Sequence, residues 1–198
     1  MTLRLISEGA ESKIYADDSF GVPLIVKARE RKGYRIEGLD ESIRRGRTRK
    51  EAKAMCKARE SGANVPGIIA VGRFSIFMER KRGKMLKDVR FGNKEMRAAG
   101  AQLAKLHAAG IAHGDFTPAN IMLCSNGPCI MDFGLAGIGG GDEEKAIDLL
   151  LMKRSVEKPQ FSSFIKGYSA YANHKPVLKK LADIERRGRY KARTLQTV

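Results

Sequence analysis

No apolar run among the 198 residues approaches the roughly 20 needed to span a bilayer. No basic segment followed by an apolar one opens the chain either, so membrane insertion and secretion are both disfavoured. Cysteine is scarce. Cys56, Cys124 and Cys129 are odd in number and lack metal-ligand spacing, which argues against a disulfide framework or a zinc site. Two of them fall in apolar segments, so the expectation is reduced core thiols in a cytoplasmic protein. Acidic residues are also in deficit, with 22 Asp and Glu against 38 Lys and Arg, a net charge of +16. A partner such as nucleic acid or polyphosphate suits that excess better than a merely solvated surface. A chain of this length makes one domain, or two small lobes around a cleft, with a sizeable core.

What is present centres on His113-Gly114-Asp115-Phe116-Thr117-Pro118-Ala119-Asn120, followed by Asp132-Phe133-Gly134. Phosphoryl transfer asks little covalent chemistry of a protein; it needs a carboxylate beside the attacking hydroxyl and oxygens that hold magnesium on the phosphates. In the pattern His-x-Asp-x-x-x-x-Asn the Asp takes the acceptor's proton and the Asn holds metal, which assigns Asp115 and Asn120. Asp132 supplies the second metal-binding carboxylate. Ile121 to Cys124 and Cys129 to Met131 are apolar runs joined by Ser125-Asn126-Gly127-Pro128, a hairpin signal that brings Asn120 and Asp132 out at one edge.

Upstream, Leu3 to Ile6, Ile14 to Ala16 and Leu24 to Ala28 read as strands. Ser7-Glu8-Gly9-Ala10-Glu11-Ser12 turns between the first two, where a phosphate-covering loop belongs, yet it carries a single glycine, Gly9. By itself the loop reads equally as an ordinary hairpin turn. Lys27 closes an apolar strand. Its place ahead of the catalytic loop makes it the candidate phosphate-binding lysine rather than a solvated strand end. Asp40 to about Gly62 reads as a helix, with Asp40 as its cap, and carries eight cations from Arg44 to Arg59. Glu51, Met55 and Ala58 share one face, which puts Glu51 beside the core and in position to pair with Lys27. Ile68 to Val71 and Phe74 to Met78 read as further strands ending at a hinge, where backbone groups around Glu79 are the candidate adenine contacts.

Lys94 to Ala109 is an apolar-faced helix stopped by Gly110, with His107 and His113 read as packing residues. The glycine-rich run Leu135 to Asp142 reads as flexible and leads into a helix over Glu143 to Arg154, from which Asp148 can hold the catalytic loop from below. No Ala-Pro-Glu follows Asp-Phe-Gly, so the peptide-docking segment of ordinary protein kinases is missing. Helices over Phe161 to Tyr171 and Pro176 to Arg187 precede a basic tail. The expected organisation is an α+β, minimal bilobal kinase-like fold: residues 1–78 form a lobe of antiparallel sheet with one main helix, 79–185 a mainly helical lobe, and 186–198 the tail.

With these residues assembled, the chain resembles the small atypical serine/threonine kinase subunit of the KEOPS complex, in the Bud family related to RIO kinases. The resemblance spans almost the full length. It rests on Gly9-Ala10-Glu11-Ser12 with Ile14-Tyr15, Arg47-Thr48-Arg49-Lys50-Glu51-Ala52, the two motifs above, and Glu144-Lys145-Ala146-Ile147-Asp148-Leu149. Phe116 departs from the family's usual Leu, and the last residues match its tail poorly. The resemblance implies a kinase or ATPase that binds ATP through Ser7, Gly9, Ala10, Glu11, Lys27 and Glu79, and magnesium through Asn120 and Asp132. It further implies action in the threonylcarbamoyl-adenosine modification of tRNA. The implied partners are tRNA, a threonylcarbamoyl-transferase subunit on the C-terminal lobe and a small subunit on the N-terminal lobe. Two other readings stay open, a small-molecule phosphotransferase of the aminoglycoside or choline type and an RNA-bound assembly module with a vestigial site.

Overall fold

In the computed structural model the described residues are 3–19 and 21–194, with 188–194 described by backbone course alone. Five strands, β1 (Arg4–Glu8), β2 (Lys13–Asp17), β3 (Leu24–Ala28), β4 (Ile68–Val71) and β5 (Ser75–Glu79), form an antiparallel sheet in the order β1-β2-β3-β5-β4. The long helix α1 (Glu37–Glu60) is inserted between β3 and β4. Strand β3 is central, and its Leu24 and Val26 are buried as period-2 alternation requires, but so is Lys27. On α1 the buried residues Thr48, Glu51, Ala52, Met55 and Ala58 recur at helical spacing. Glu51 therefore lies one turn from Met55, on the face that meets the sheet.

The rest of the chain is mainly helical: α2 (Asn93–Ala108), α3 (Asp142–Ser155), α4 (Lys158–Tyr168) and α5 (His174–Thr194). A three-stranded sheet joins β6 (Gly83–Met85), β8 (Ile121–Cys124) and β9 (Gly127–Ile130), and a two-stranded one pairs β7 (Ile111–Ala112) with β10 (Gly137–Ile138). Helices α2 and α4 meet backbone to backbone. A Cβ on Gly100 would lie 2.0 Å from the Phe164 carbonyl oxygen, and one on Gly167 only 1.8 Å from that of Arg97. Around this crossing Leu103, Leu106, Phe116, Phe164 and Tyr168 are fully buried, each contributing about 1.5–3 kcal/mol of apolar burial.

Several expectations from the sequence are corrected. Strand β1 runs to Glu8, so Ser7 pairs in the sheet opposite Ile14 and the loop proper is Gly9 to Ser12. Asp40 does not cap α1; it sits inside the helix, fully buried, accepting from the Lys32 amide and the Arg44 guanidinium. Glu79 is the last residue of β5 rather than a free hinge residue. The hairpin turn is Ser125-Asn126, with Gly127 and Pro128 already in β9, because Gly127 takes a φ of 104° and pairs with Cys124. The run after Leu135 is not loose, since Gly137 and Ile138 pair with β7. Cys56 is exposed on α1, whereas Cys129 is buried and its thiol is pushed up to about 12 by burial. Helix α5 continues through the basic segment to Thr194, and residues 195–198 lie outside the described residues. Among the described residues no helix is long and apolar enough to cross a membrane.

Candidate active site

The loop that carries Asp115 is seated by a buried carboxylate. Asp148, on α3, accepts hydrogen bonds from the His113 amide (2.7 Å), the Gly114 amide (2.8 Å) and His107 Nε2 (3.1 Å). The tautomer follows from the neighbours. Burial pushes the Tyr168 phenol far above its usual range, so its O–H is retained and donates to His107 Nδ1 at 2.8 Å. Burial also lowers His107 despite the pull of Asp148, leaving a neutral ring whose Nε2–H points at the carboxylate. His113 is buried edge-on against Phe116 and Phe133, and its Nε2 lies 2.9 Å from the Met131 carbonyl. That bond ties the catalytic loop to the Asp-Phe-Gly turn. Gly114 adopts a φ of 81°, and a Cβ there would fall 2.6 Å from the Leu135 carbonyl oxygen, which explains glycine between His113 and Asp115.

Asp115, Asn120 and Asp132 then converge. The Asn120 side-chain amide donates to both the backbone carbonyl (2.9 Å) and Oδ2 (2.8 Å) of Asp115. The Met131 amide donates to the Asn120 carbonyl, which sets Asp132 next to this pair. Asp132 has a φ of 54°, left-handed backbone that an Asp tolerates better than most residues. Its Oδ1 accepts from the Gly134 amide at 3.0 Å and from Lys27 Nζ at 2.7 Å. Partial burial works against the charged form of Asp132, but the Lys27 ammonium outweighs it and holds the carboxyl below its ordinary value. Lys27 also donates to Glu51 Oε1 at 2.6 Å, joining α1 to the sheet and to the Asp-Phe-Gly turn.

Of the loop residues expected to cover phosphates, Gly9, Ala10 and Glu11 line a cavity of about 490 Å³ together with Lys27, Asp115 and Asp132, whereas Ser7 stands back in β1. At Glu79 the backbone N–H is committed to the Gly67 carbonyl (2.8 Å), and the carboxylate accepts from the Gly67 amide and Lys81. Arg29 escaped sequence reasoning. It lies two residues beyond Lys27, so it reaches the same side of the sheet, where its NH2 donates to Glu51 Oε2 at 2.6 Å. Strand alternation was the signal that would have found it.

Among the described residues no three His, Cys, Asp or Glu side chains form a metal cage by themselves. A magnesium ion does not need one, because it is commonly held by one or two protein oxygens and completed by phosphates and water. The donor set fits that need. Asn120 turns its NH2 onto Asp115, leaving its Oδ1 as the remaining ligand atom, and Asp132 retains Oδ2 beyond the bonds made by Oδ1.

A five-stranded antiparallel sheet with one helix, set against a helical half whose loop brings Asp115, Asn120 and Asp132 beside a lysine–glutamate pair, defines a protein-kinase-like phosphotransferase. The RIO domain matches residues 26–152. The chain belongs to the RIO domain family. It is 35% identical to the KEOPS complex subunit Bud32 of Pyrococcus abyssi over 97% of this chain and 98% of that protein. It is also 37% identical to a probable bifunctional tRNA threonylcarbamoyladenosine biosynthesis protein of Methanobrevibacter smithii, covering 94% of this chain but spanning only 36% of that relative's length. Among solved structures, the Rio2 kinase–ADP/Mg2+–phosphoaspartate complex of Chaetomium thermophilum superposes with a TM-score of 0.62 over 96% of this chain and 72% of that one, at 19% identity, a likeness of fold.

Proposed function

We propose that this protein is an atypical serine/threonine kinase and ATPase, dependent on ATP and magnesium, that works in a KEOPS-type complex making threonylcarbamoyl-adenosine in tRNA. The observation that carries the chemistry is the single contact chain Glu51–Lys27–Asp132, with steps of 2.6 and 2.7 Å, ending beside Asp115 and Asn120. The relatives' names support the setting.

In this reading Lys27 holds the phosphates nearer the nucleoside, and Glu51 keeps the ammonium aimed into the cleft. Asp115 accepts the proton of the attacking hydroxyl, its carboxylate oriented by the Asn120 amide. Asn120 Oδ1 and Asp132 hold magnesium, which when bound neutralises charge on the phosphates. Lys27 exchanges its Asp132 contact for phosphate as the substrate enters. The carbonyl of Glu79 takes the base edge, and Gly9, Ala10 and Glu11 border the phosphates from above. Ser7, placed in β1, acts only through that loop. The tRNA, a threonylcarbamoyl-transferase subunit on the helical half and a small subunit on the sheet half are the proposed partners, and the cytoplasm is the proposed compartment.

The test is phosphate release from ATP and magnesium by wild type and Asp115→Ala, each with and without the transferase subunit and tRNA. We expect release stimulated by these additions and reduced at least a hundredfold in the mutant. Undiminished turnover by Asp115→Ala overturns the assignment of the base.

A further inference from the structure

The loop between β1 and β2 sets a chemical puzzle. It borders the cleft that receives phosphates, yet it offers one glycine, whose amide is already bonded to the Ser12 carbonyl (2.9 Å), and it adds a carboxylate, Glu11. A carboxylate facing a polyphosphate is repulsive. Its surroundings explain its presence. Glu11 Oε2 lies 3.5 Å from Arg29 NH1 and is also paired with Arg47 from α1. Arg29 is 5% exposed and anchored through its NH2 arm to Glu51, so its NH1 arm is held toward the cleft, whereas Glu11 and Arg47 are about half exposed. A guanidinium fork accepts carboxylate and phosphate in the same geometry.

On the reading of this cleft as a nucleotide site, we infer that Glu11 is an internal stand-in for a phosphate: its carboxylate occupies an anion subsite built by Arg29 and Arg47, and the terminal phosphoryl group of a nucleoside triphosphate must displace it. Lys27 and Asp115 line the same cavity as Arg29 and Arg47, and Lys27 is already bonded to Glu51 and Asp132 whereas Arg29 and Arg47 meet on Glu11, so the arginine pair is assigned the terminal phosphate and Lys27 those nearer the nucleoside. Arg47 thereby becomes a contact for the transferred group, supplied from the helix that also carries Glu51. The displacement lowers affinity for triphosphate selectively, and Arg47 restores it once Glu11 has left.

Calorimetric titration of the full chain with ATP and with ADP, in EDTA and then in magnesium, tests this with Glu11→Gln, Arg47→Gln and the double variant, which change exposed side chains and spare the buried Arg29. Glu11→Gln is expected to tighten ATP about tenfold, the equivalent of about 1.4 kcal/mol, and ADP less than about threefold. Arg47→Gln should weaken ATP more than ADP, and in the double variant the gain from Glu11→Gln should shrink. If Glu11→Gln leaves both nucleotides unchanged, or weakens both as a loop pin would, the inference fails. Weakening seen only with magnesium makes Glu11 a metal ligand and also overturns it. A wild-type protein that binds neither nucleotide overturns the nucleotide reading itself, and the inference with it.

Discussion

Two buried carboxylates organise the two halves of this protein in different ways. Glu51, 2% exposed, faces two cations, Lys27 and Arg29, and each of these also reaches a second carboxylate at the cleft. Asp148, fully buried, faces three N–H donors, two of them main chain. The first is a branched network of charges, because each cation bridges Glu51 to a second anion. The second is a fixed seat, because the main-chain amides at His113 and Gly114 both donate to the one carboxylate. The difference sets a bridged ion-pair network on the sheet side against a main-chain anchor on the helical side, and it follows from partner chemistry rather than from burial, which is nearly equal.

That contrast breaks most severely at Asp148. Asp148→Ala leaves two main-chain donors and His107 unsatisfied in the interior, and should cost about 3 kcal/mol or more in urea denaturation. A loss below about 1 kcal/mol would show that the seat is not what holds the loop. Glu51→Gln should cost less, about 1–2 kcal/mol, since Lys27 keeps Asp132 and Arg29 keeps Glu11, while turnover falls at least tenfold because Lys27 is no longer aimed. Equal stability losses at the two sites would erase the distinction. The smallest effect is a pH effect. His107 is depressed below its ordinary 6.5 by burial, so the unfolded chain takes up the proton first; its contribution is complete above about pH 6.5 and is lost as pH falls below that value. Thermal unfolding between pH 7.5 and 5.5 should show a decline in the wild type that is reduced in His107→Gln; identical slopes would refute the neutral-ring assignment.

How much of this was legible varies with sequence distance. The grouping of Asp115, Asn120 and Asp132, the hairpin that joins its halves, and the pairing of Lys27 with Glu51 were all readable, the last from motif order together with helical spacing. Local rules reach that far, because turn chemistry and periodicity fix which residues share an edge or a face. They fail at boundaries: Asp40 looks like a cap but is recruited by Arg44 into the interior, and Gly137 and Ile138, in a run that looks loose, find β7 as a partner. Arg29 was passed over because its role depends on which carboxylate α1 delivers to it.

The sequence by itself determined the groups available, two aspartates, an asparagine and a lysine in kinase order on an α+β chain of strong positive charge. Only the tertiary structure decided what those groups touch. The contacts that aim Lys27 at Asp132 and place Glu11 between Arg29 and Arg47 cross up to 105 and 36 residues of chain, distances that packing closes and no local pattern encodes. Close helix contact at Gly100 and Gly167 belongs to the same class: a missing Cβ is visible in the sequence, but the carbonyl that needs its absence is brought there by the fold.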